Sequence, residues 1–103
     1  MKKTSIIPIP VRRALRELGS NLKEARIKRN LTMGLVEERA GITHVSLTKV
    51  ERGESTVSIG IYAKVMFVMG MIDNLLELAN PDKDLRGRQF DRDHLPKRVR
   101  YGK

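Results

Sequence analysis

Hydrophobic positions along the chain recur mostly every three or four residues, which is the spacing of one face of an α-helix. The first such run consists of Val11, Leu15, Leu18 and Leu22. Pro10 suits the first turn of a helix, because the first backbone N–H groups of a helix have no intrahelical partner. The pattern predicts a first helix that begins near Pro10, is weakened at Gly19 and continues to Arg29.

Hydroxyl residues and glycines mark the bounds of the next three helices. Thr32, Thr43 and Ser58 each precede an apolar run and suit N-caps, because a side-chain oxygen can accept a hydrogen bond from a free backbone N–H. Gly41 and Gly53 suit the turns that end helices. These signals predict two short helices around a glycine turn, followed by a more apolar helix.

Asp73 is placed to open a fifth helix, which should end before Pro81. Apart from the isoleucine-rich start, no strand-like alternation longer than a few residues occurs. The sequence therefore predicts an all-α fold of five helices over residues 11–80. Residues 1–10 are expected to form an extended N-terminal arm, because their prolines restrict the backbone. Residues 81–103 are expected to form a basic C-terminal tail.

Charge points to a polyanionic partner. The 103 residues include 21 Lys and Arg against 12 Asp and Glu, a formal charge of +9, and residues 1–18 and 81–103 carry most of this excess. Such a potential attracts nucleic acid. The chain has no cysteine and no apolar run long enough for a membrane span. We therefore expect a cytoplasmic protein with no membrane association.

Catalytic, cofactor and metal motifs are not evident. The sequence has no glycine-rich phosphate loop and no nucleophile motif, so an enzyme is not expected. His44 and His94 lie in different segments and lack a second ligand at metal-binding spacing. Asp91 and Asp93 lie among basic residues with little apolar material to form a pocket. We expect neither a cofactor nor a metal ion.

The two short helices have the pattern of a unit that presents one helix to DNA. An α-helix fits the major groove when one of its faces is anchored and the other stays exposed. The expected anchors are Leu35, Val36, Ala40, Ile42, Leu47 and Val50. The residues left polar or small on the opposite side are Thr43, His44, Val45, Ser46, Thr48 and Lys49.

Over about residues 19–80 the chain resembles the Xre/Cro-type, lambda-repressor-like helix-turn-helix regulators. The matching elements are Leu31-Thr32, Ala40-Gly41-Ile42, Thr43 at the helix start, and Glu51-Arg52-Gly53. The resemblance implies that His44, Val45 and Lys49 face base edges, with Lys49 donating to guanine and Val45 touching a thymine methyl group. It implies phosphate contacts from Thr32, Thr43, Ser46 and Arg52, and from Ser55 and Thr56 in the following loop.

Two positions depart from that family's pattern. Met33 stands where a glutamine that braces the DNA contact is usual, and we keep Met33 among the candidate DNA-binding residues. Glu37 stands where a small alanine is usual, and its carboxylate is expected to reach solvent. Arg26 could bind phosphate, but the resemblance implies instead that it pairs with Glu51.

A narrower resemblance links the chain to HipB-type antitoxins, which accompany HipA-like serine/threonine kinase toxins. It rests on Val57-Ser58-Ile59-Gly60-Ile61-Tyr62, Met69-Gly70-Met71 and Leu95-Pro96-Lys97-Arg98-Val99-Arg100. It implies a homodimer that represses its own operon at an inverted-repeat operator in double-stranded DNA and binds the kinase. The candidate partner-binding residues are Phe90, Leu95, Lys97, Arg98, Val99 and Arg100. Two alternatives remain: a stand-alone Xre-family repressor without a toxin partner, and a tail that only follows DNA phosphates.

Overall fold

The computed structural model describes residues 6–93, and all regular structure within them is helical. The elements are α1 (Ile9–Lys28), α2 (Met33–Ala40), α3 (His44–Arg52), α4 (Ile59–Val68), α5 (Asp73–Glu77), a 3₁₀-helix (Pro81–Lys83) and α6 (Leu85–Asp93). The chain divides into two units, Met1–Ile72 and Asp73–Lys103. Each unit is described by itself below.

The helix bounds of the first unit follow the predicted caps. The Thr32 hydroxyl accepts from the Leu35 N–H, and the Ser58 hydroxyl accepts from the Ile61 N–H. Helices α2 and α3 both end at glycines in the left-handed conformation, Gly41 at φ 67° and Gly53 at φ 69°. These caps confirm the positions predicted for α2, α3 and α4, since each cap satisfies backbone groups that a helix end leaves unpaired.

The core of the first unit lies where α1, α2, α3 and α4 pack on one another. Its fully buried side chains are Leu22, Leu47, Val36, Val50 and Val65. Four of the six predicted anchors are buried, whereas Leu35 and Ile42 are only partly covered. This core fixes α3 by its Leu47 and Val50 face and leaves the opposite face outside.

Helix α1 approaches the end of α3 at backbone distance. A β-carbon placed on Gly19 would lie 2.5 Å from both the Val50 carbonyl oxygen and the Gly53 nitrogen. A β-carbon placed on Gly53 would overlap the Leu15 carbonyl group and lie 2.7 Å from the Arg16 α-carbon. Gly19, expected only to weaken the first helix, is therefore the residue that lets α1 contact α3 directly.

The first helix begins at Ile9, with Pro10 in its first turn. The last two residues of the segment expected to be an arm are therefore helical. Within that segment Ile6, Ile7 and Pro8 have no regular structure, and residues 1–5 lie outside the described part of the chain.

The second unit adds a helix that the sequence pattern did not predict. Residues 6–93 contain six α-helices instead of five, because α6 forms within the segment expected to be a tail. The Asp84 carboxylate accepts from the Gly87 N–H at 2.9 Å and so caps the start of α6. Helix α6 has no buried residue, and apolar periodicity is therefore a poor guide to it.

A short polar network precedes α6 in the same unit. The Glu77 carboxylate lies 2.9 Å from the Lys83 ammonium and accepts from the Asn80 amide at 3.0 Å. These two contacts, Lys83 first, lower the pKa of Glu77 below its ordinary value. The Asn80 side chain also accepts from the Asp82 N–H and so opens the 3₁₀-helix.

Candidate nucleic-acid interface

The exposed side of α3 brings five of the predicted DNA-binding residues together. They are His44, Val45, Thr48, Lys49 and Arg52. At about 100° per residue these positions fall within an arc of about 140°, opposite the buried Leu47 and Val50. Val45 is 61% exposed even though it is apolar. His44, Val45 and Arg52 are exposed, whereas Thr48 and Lys49 are partly covered. An arc of mixed chemistry that faces away from the core on an anchored helix has the form needed to enter a DNA groove.

The N-terminal end of α3 is held by side-chain hydrogen bonds. The Thr43 hydroxyl oxygen accepts from the Ser46 N–H at 3.1 Å, and the Thr43 hydroxyl donates to the Ser46 hydroxyl at 3.0 Å. At the start of α2, the Thr32 hydroxyl oxygen accepts from the Leu35 N–H. Thr32 and Thr43 therefore each cap a helix, in addition to the phosphate contact expected of them. The hydroxyl groups of Thr32 and Ser46 can still donate a hydrogen bond to a phosphate.

Glu37 joins the two helices of the helix-turn-helix unit through His44. Its Oε2 atom lies 2.7 Å from His44 Nδ1, and its side chain is only 18% exposed. The carboxylate was expected to reach solvent; it keeps this partial exposure and contacts the imidazole across the Gly41 turn. The histidine ring itself is 68% exposed.

Arg26 and Glu51 form a nearly buried ion pair between α1 and the last turn of α3. Arg26 Nε lies 2.7 Å from Glu51 Oε2, and Arg26 Nη2 donates to Glu51 Oε1 at 3.2 Å. Arg26 Nη1 donates to the Leu31 carbonyl oxygen at 3.1 Å. The pairing implied by the family resemblance is confirmed, and all three guanidinium nitrogens are used inside the protein.

The loop after α3 is fastened to α4. The buried Tyr62 hydroxyl donates to the Glu54 carbonyl oxygen at 2.8 Å. Burial, and next the charge of Glu54, raise the pKa of Tyr62 above its ordinary value. Ser55 and Thr56 follow Glu54 and are exposed. The loop therefore offers both side chains to solvent from a fixed backbone.

A groove at the end of α3 concentrates positive charge. It is lined by Ile7, Arg12, Leu15, Arg16, Arg52, Gly53, Glu54, Ser55 and Thr56. Arg52 lies 3.7 Å from Glu54, while Arg12 and Arg16 are exposed and have no ion-pair partner within residues 6–93. Three guanidinium groups beside Ser55 and Thr56 suit a phosphate.

The sequence analysis did not identify Glu37 as the partner of His44, nor Arg12 and Arg16 as residues of the groove at the end of α3. The departure of Glu37 from the resembling family's pattern was a usable signal, as was the helical spacing of the two arginines. Met33 lies in the first turn of α2 and is partly buried. It offers no hydrogen-bond donor.

The candidate partner-binding residues fall mostly outside the described part of the chain. Phe90 lies on α6 and is 58% exposed. The others, Leu95, Lys97, Arg98, Val99 and Arg100, lie outside residues 6–93. Among residues 6–93, no helix is long and apolar enough to cross a bilayer, and no three His, Asp or Glu residues cluster in a way that could hold a metal ion.

Comparison with protein families identifies a known domain in the part of the chain that contains α2 and α3. A family model described as helix-turn-helix matches residues 22–66, which cover the end of α1 and all of α2 and α3 as well as most of α4. The chain therefore contains an Xre-family helix-turn-helix domain, a DNA-binding regulatory domain and not an enzyme family. No curated protein matches the chain.

Proposed function

We propose that this Xre-family helix-turn-helix domain makes the chain a sequence-specific transcriptional repressor that places the exposed arc of α3 in the major groove of DNA. The observation that carries the proposal is that arc, which begins at a capped helix N-terminus and is anchored from behind by Leu47 and Val50. Free N–H groups at a helix start favour phosphate, and the side chains that follow reach base edges.

The proposed base contacts come from three residues of α3. Val45 presents methyl groups that suit the methyl group of thymine, and Lys49 suits the acceptors of guanine. His44 presents the free edge of its ring to a third base. Thr48 lies between these residues on the same arc and completes the surface.

The proposed phosphate contacts surround that arc on both sides. They come from Thr32, Thr43, Ser46, Arg52, Ser55 and Thr56, with Met33 as an apolar neighbour at the start of α2. The groove that holds Arg12 and Arg16 beside Arg52 extends this positive surface along α1. Phosphate contacts give affinity that falls steeply with salt, while the base contacts give the preference for one sequence.

We further propose that the repressor binds as a homodimer to an inverted repeat. A single helix-turn-helix unit reads only a few base pairs, and two-fold dimers read two half-sites about 34 Å apart. The dimer and its self-regulated operator rest on the resemblance to HipB-type antitoxins.

The finer part of the proposal is an antitoxin role, in which a HipA-like kinase binds the C-terminal residues. The proposed contacts combine apolar and basic side chains: Phe90, Leu95, Lys97, Arg98, Val99 and Arg100. A chain ending at Pro81 should keep specific DNA binding and lose a HipA-like kinase encoded beside its gene. Equal binding of that kinase by the full chain and the shortened chain would mean that the C-terminal residues do not bind it. Binding by neither chain would favour the stand-alone repressor.

The DNA proposal is tested by fluorescence anisotropy with the duplex upstream of the chain's own gene and a shuffled duplex. At about 150 mM salt the upstream duplex should bind roughly a thousandfold more tightly. Equal, weak and salt-sensitive binding to both duplexes would contradict sequence-specific repression.

Lys49→Ala tests the base contact directly. It should relax the preference at one base pair per half-site, at about 1 to 3 kcal/mol. Lys64→Ala removes an exposed lysine from α4 and serves as the matched control. Equal weakening of Lys49→Ala on every sequence would mean that Lys49 binds phosphate only.

A further inference from the structure

The contact between Glu37 and His44 is placed to control how α3 meets a base. The two side chains are seven residues apart and belong to different helices, with Nδ1 and Oε2 separated by 2.7 Å. The carboxylate is largely covered, whereas most of the ring is exposed. The less exposed side chain therefore contacts the more exposed one.

The chemistry of the pair determines which ring nitrogen is left for DNA. A carboxylate only accepts hydrogen bonds, so Nδ1 must carry the proton that is shared with Glu37. The remaining nitrogen, Nε2, lies on the far side of the ring. It accepts from the amino group of adenine or cytosine when the ring is neutral, and it donates to guanine when the ring is protonated.

No other side chain of α2 has a hydrogen bond to His44 among the described residues. Met33, in the first turn of α2, cannot form one. Without Glu37 the ring of His44, exposed at the first position of α3, could turn about its side-chain bonds and present either nitrogen. A pair with one mostly exposed member adds little to folding stability, so its main effect concerns orientation.

We propose that Glu37 is a positioning residue for base recognition: it holds His44 so that Nε2 meets the edge of one base pair in each half-site. This inference rests on the proposed DNA-binding function. Glu37 itself touches no base; its effect passes through the ring of His44. Loss of Glu37 should therefore lower discrimination at one position of the site and leave the rest of the sequence preference in place.

The test uses the full chain and duplexes selected from a randomised library. Binding of the selected duplex and of every single-base-pair variant is measured by anisotropy for the native chain, Glu37→Ala, Glu37→Gln, His44→Ala and the double variant. Glu38→Ala is the matched control, since Glu38 is the exposed neighbour on α2 and has no hydrogen bond from its side chain within residues 6–93. Thermal unfolding of each variant shows whether the fold is kept.

Glu37→Ala should reduce discrimination about tenfold at one base pair per half-site, and His44→Ala should reduce it at the same base pair. Glu37→Gln should keep most of it, because an amide oxygen also accepts from Nδ1. Adding Glu37→Ala to His44→Ala should change nothing more.

An unchanged profile in Glu37→Ala, or an effect that persists without His44, would overturn the positioning role. A native chain that prefers no sequence would overturn the proposed function as well. The two failures are therefore distinguishable.

Discussion

Replacing Arg26 with alanine should damage the fold of the first unit far more than the loss of one surface charge would. Arg26 is 11% exposed and Glu51 is 6% exposed, and two hydrogen bonds join them. The change removes both of these bonds and the bond to the Leu31 carbonyl oxygen. It also leaves the Glu51 carboxylate nearly buried without its partner.

The expected loss follows from that uncompensated charge. Removing one member of a buried ion pair costs about 3 to 5 kcal/mol. Small domains have free energies of unfolding of about 5 to 15 kcal/mol, so about a fifth of the stability or more should disappear. For a unit of this size the Tm should fall by roughly 12 to 40 °C.

The assay is urea unfolding followed by far-ultraviolet circular dichroism. Lys28→Ala is the matched control, because it removes a basic residue from the same helix whose 3.5 Å contact with Glu24 is exposed. That control should lose no more than about 0.5 kcal/mol. Arg26→Met combined with Glu51→Leu should recover much of the loss, because neither charge is then left alone.

The outcome that refutes this reasoning is specific. If Arg26→Ala unfolds within about 1 kcal/mol of the native chain and weakens binding to every duplex equally, Arg26 acts on phosphate and its pairing with Glu51 contributes little.

Two further predictions concern the turns around α3. Gly41→Ala and Gly53→Ala both place alanine at nearly the same left-handed φ, but of the two only Gly53 lies against α1. Gly41→Ala should lower the free energy of unfolding by about 1 to 2 kcal/mol. Gly53→Ala should lower it by that amount and by about 1 to 3 kcal/mol more, because its β-carbon would overlap α1. Equal losses in urea unfolding would show that α1 and α3 are not in tight contact. Tyr62→Phe should lose about 0.5 to 1.5 kcal/mol at pH 7, because the bond to the Glu54 carbonyl disappears. Because the pKa of Tyr62 is raised, the contribution of its hydroxyl to folding stability is full below the usual value of 10.0 and falls as the pH rises above it. The free energy of unfolding measured between pH 9 and 11 should therefore fall less in Tyr62→Phe than in the native chain. The same fall in both proteins would contradict this assignment.

The order and bounds of the first four helices could be predicted from the sequence because their signals are local. A threonine or serine before an apolar run can cap a helix wherever it lies, and Thr32, Thr43 and Ser58 each do so here. Gly41 and Gly53 likewise end helices through their own backbone conformation. Such signals require no knowledge of which helices pack together.

Other features depended on contacts that spacing alone does not reveal. The orientation of the Glu37 side chain depends on where His44, the first residue of α3, lies after the turn. The importance of Gly19 depends on its contact with Gly53, which is 34 positions later. Helix α6 was missed for a different reason: its start depends on one carboxylate, Asp84, and its apolar residues are too few to form a buried stripe.

The meeting of α1 with the end of α3 also bears on how small a folding unit can be. A peptide of residues 32–53 contains both α2 and α3 but lacks Gly19 and Arg26. Its helices have 8 and 9 residues, shorter than the 12 to 15 or so at which isolated helices become marginally stable in water. Helix α3 therefore owes its persistence to the helices that pack on it, α1 and α2 before it in the chain and α4 after it.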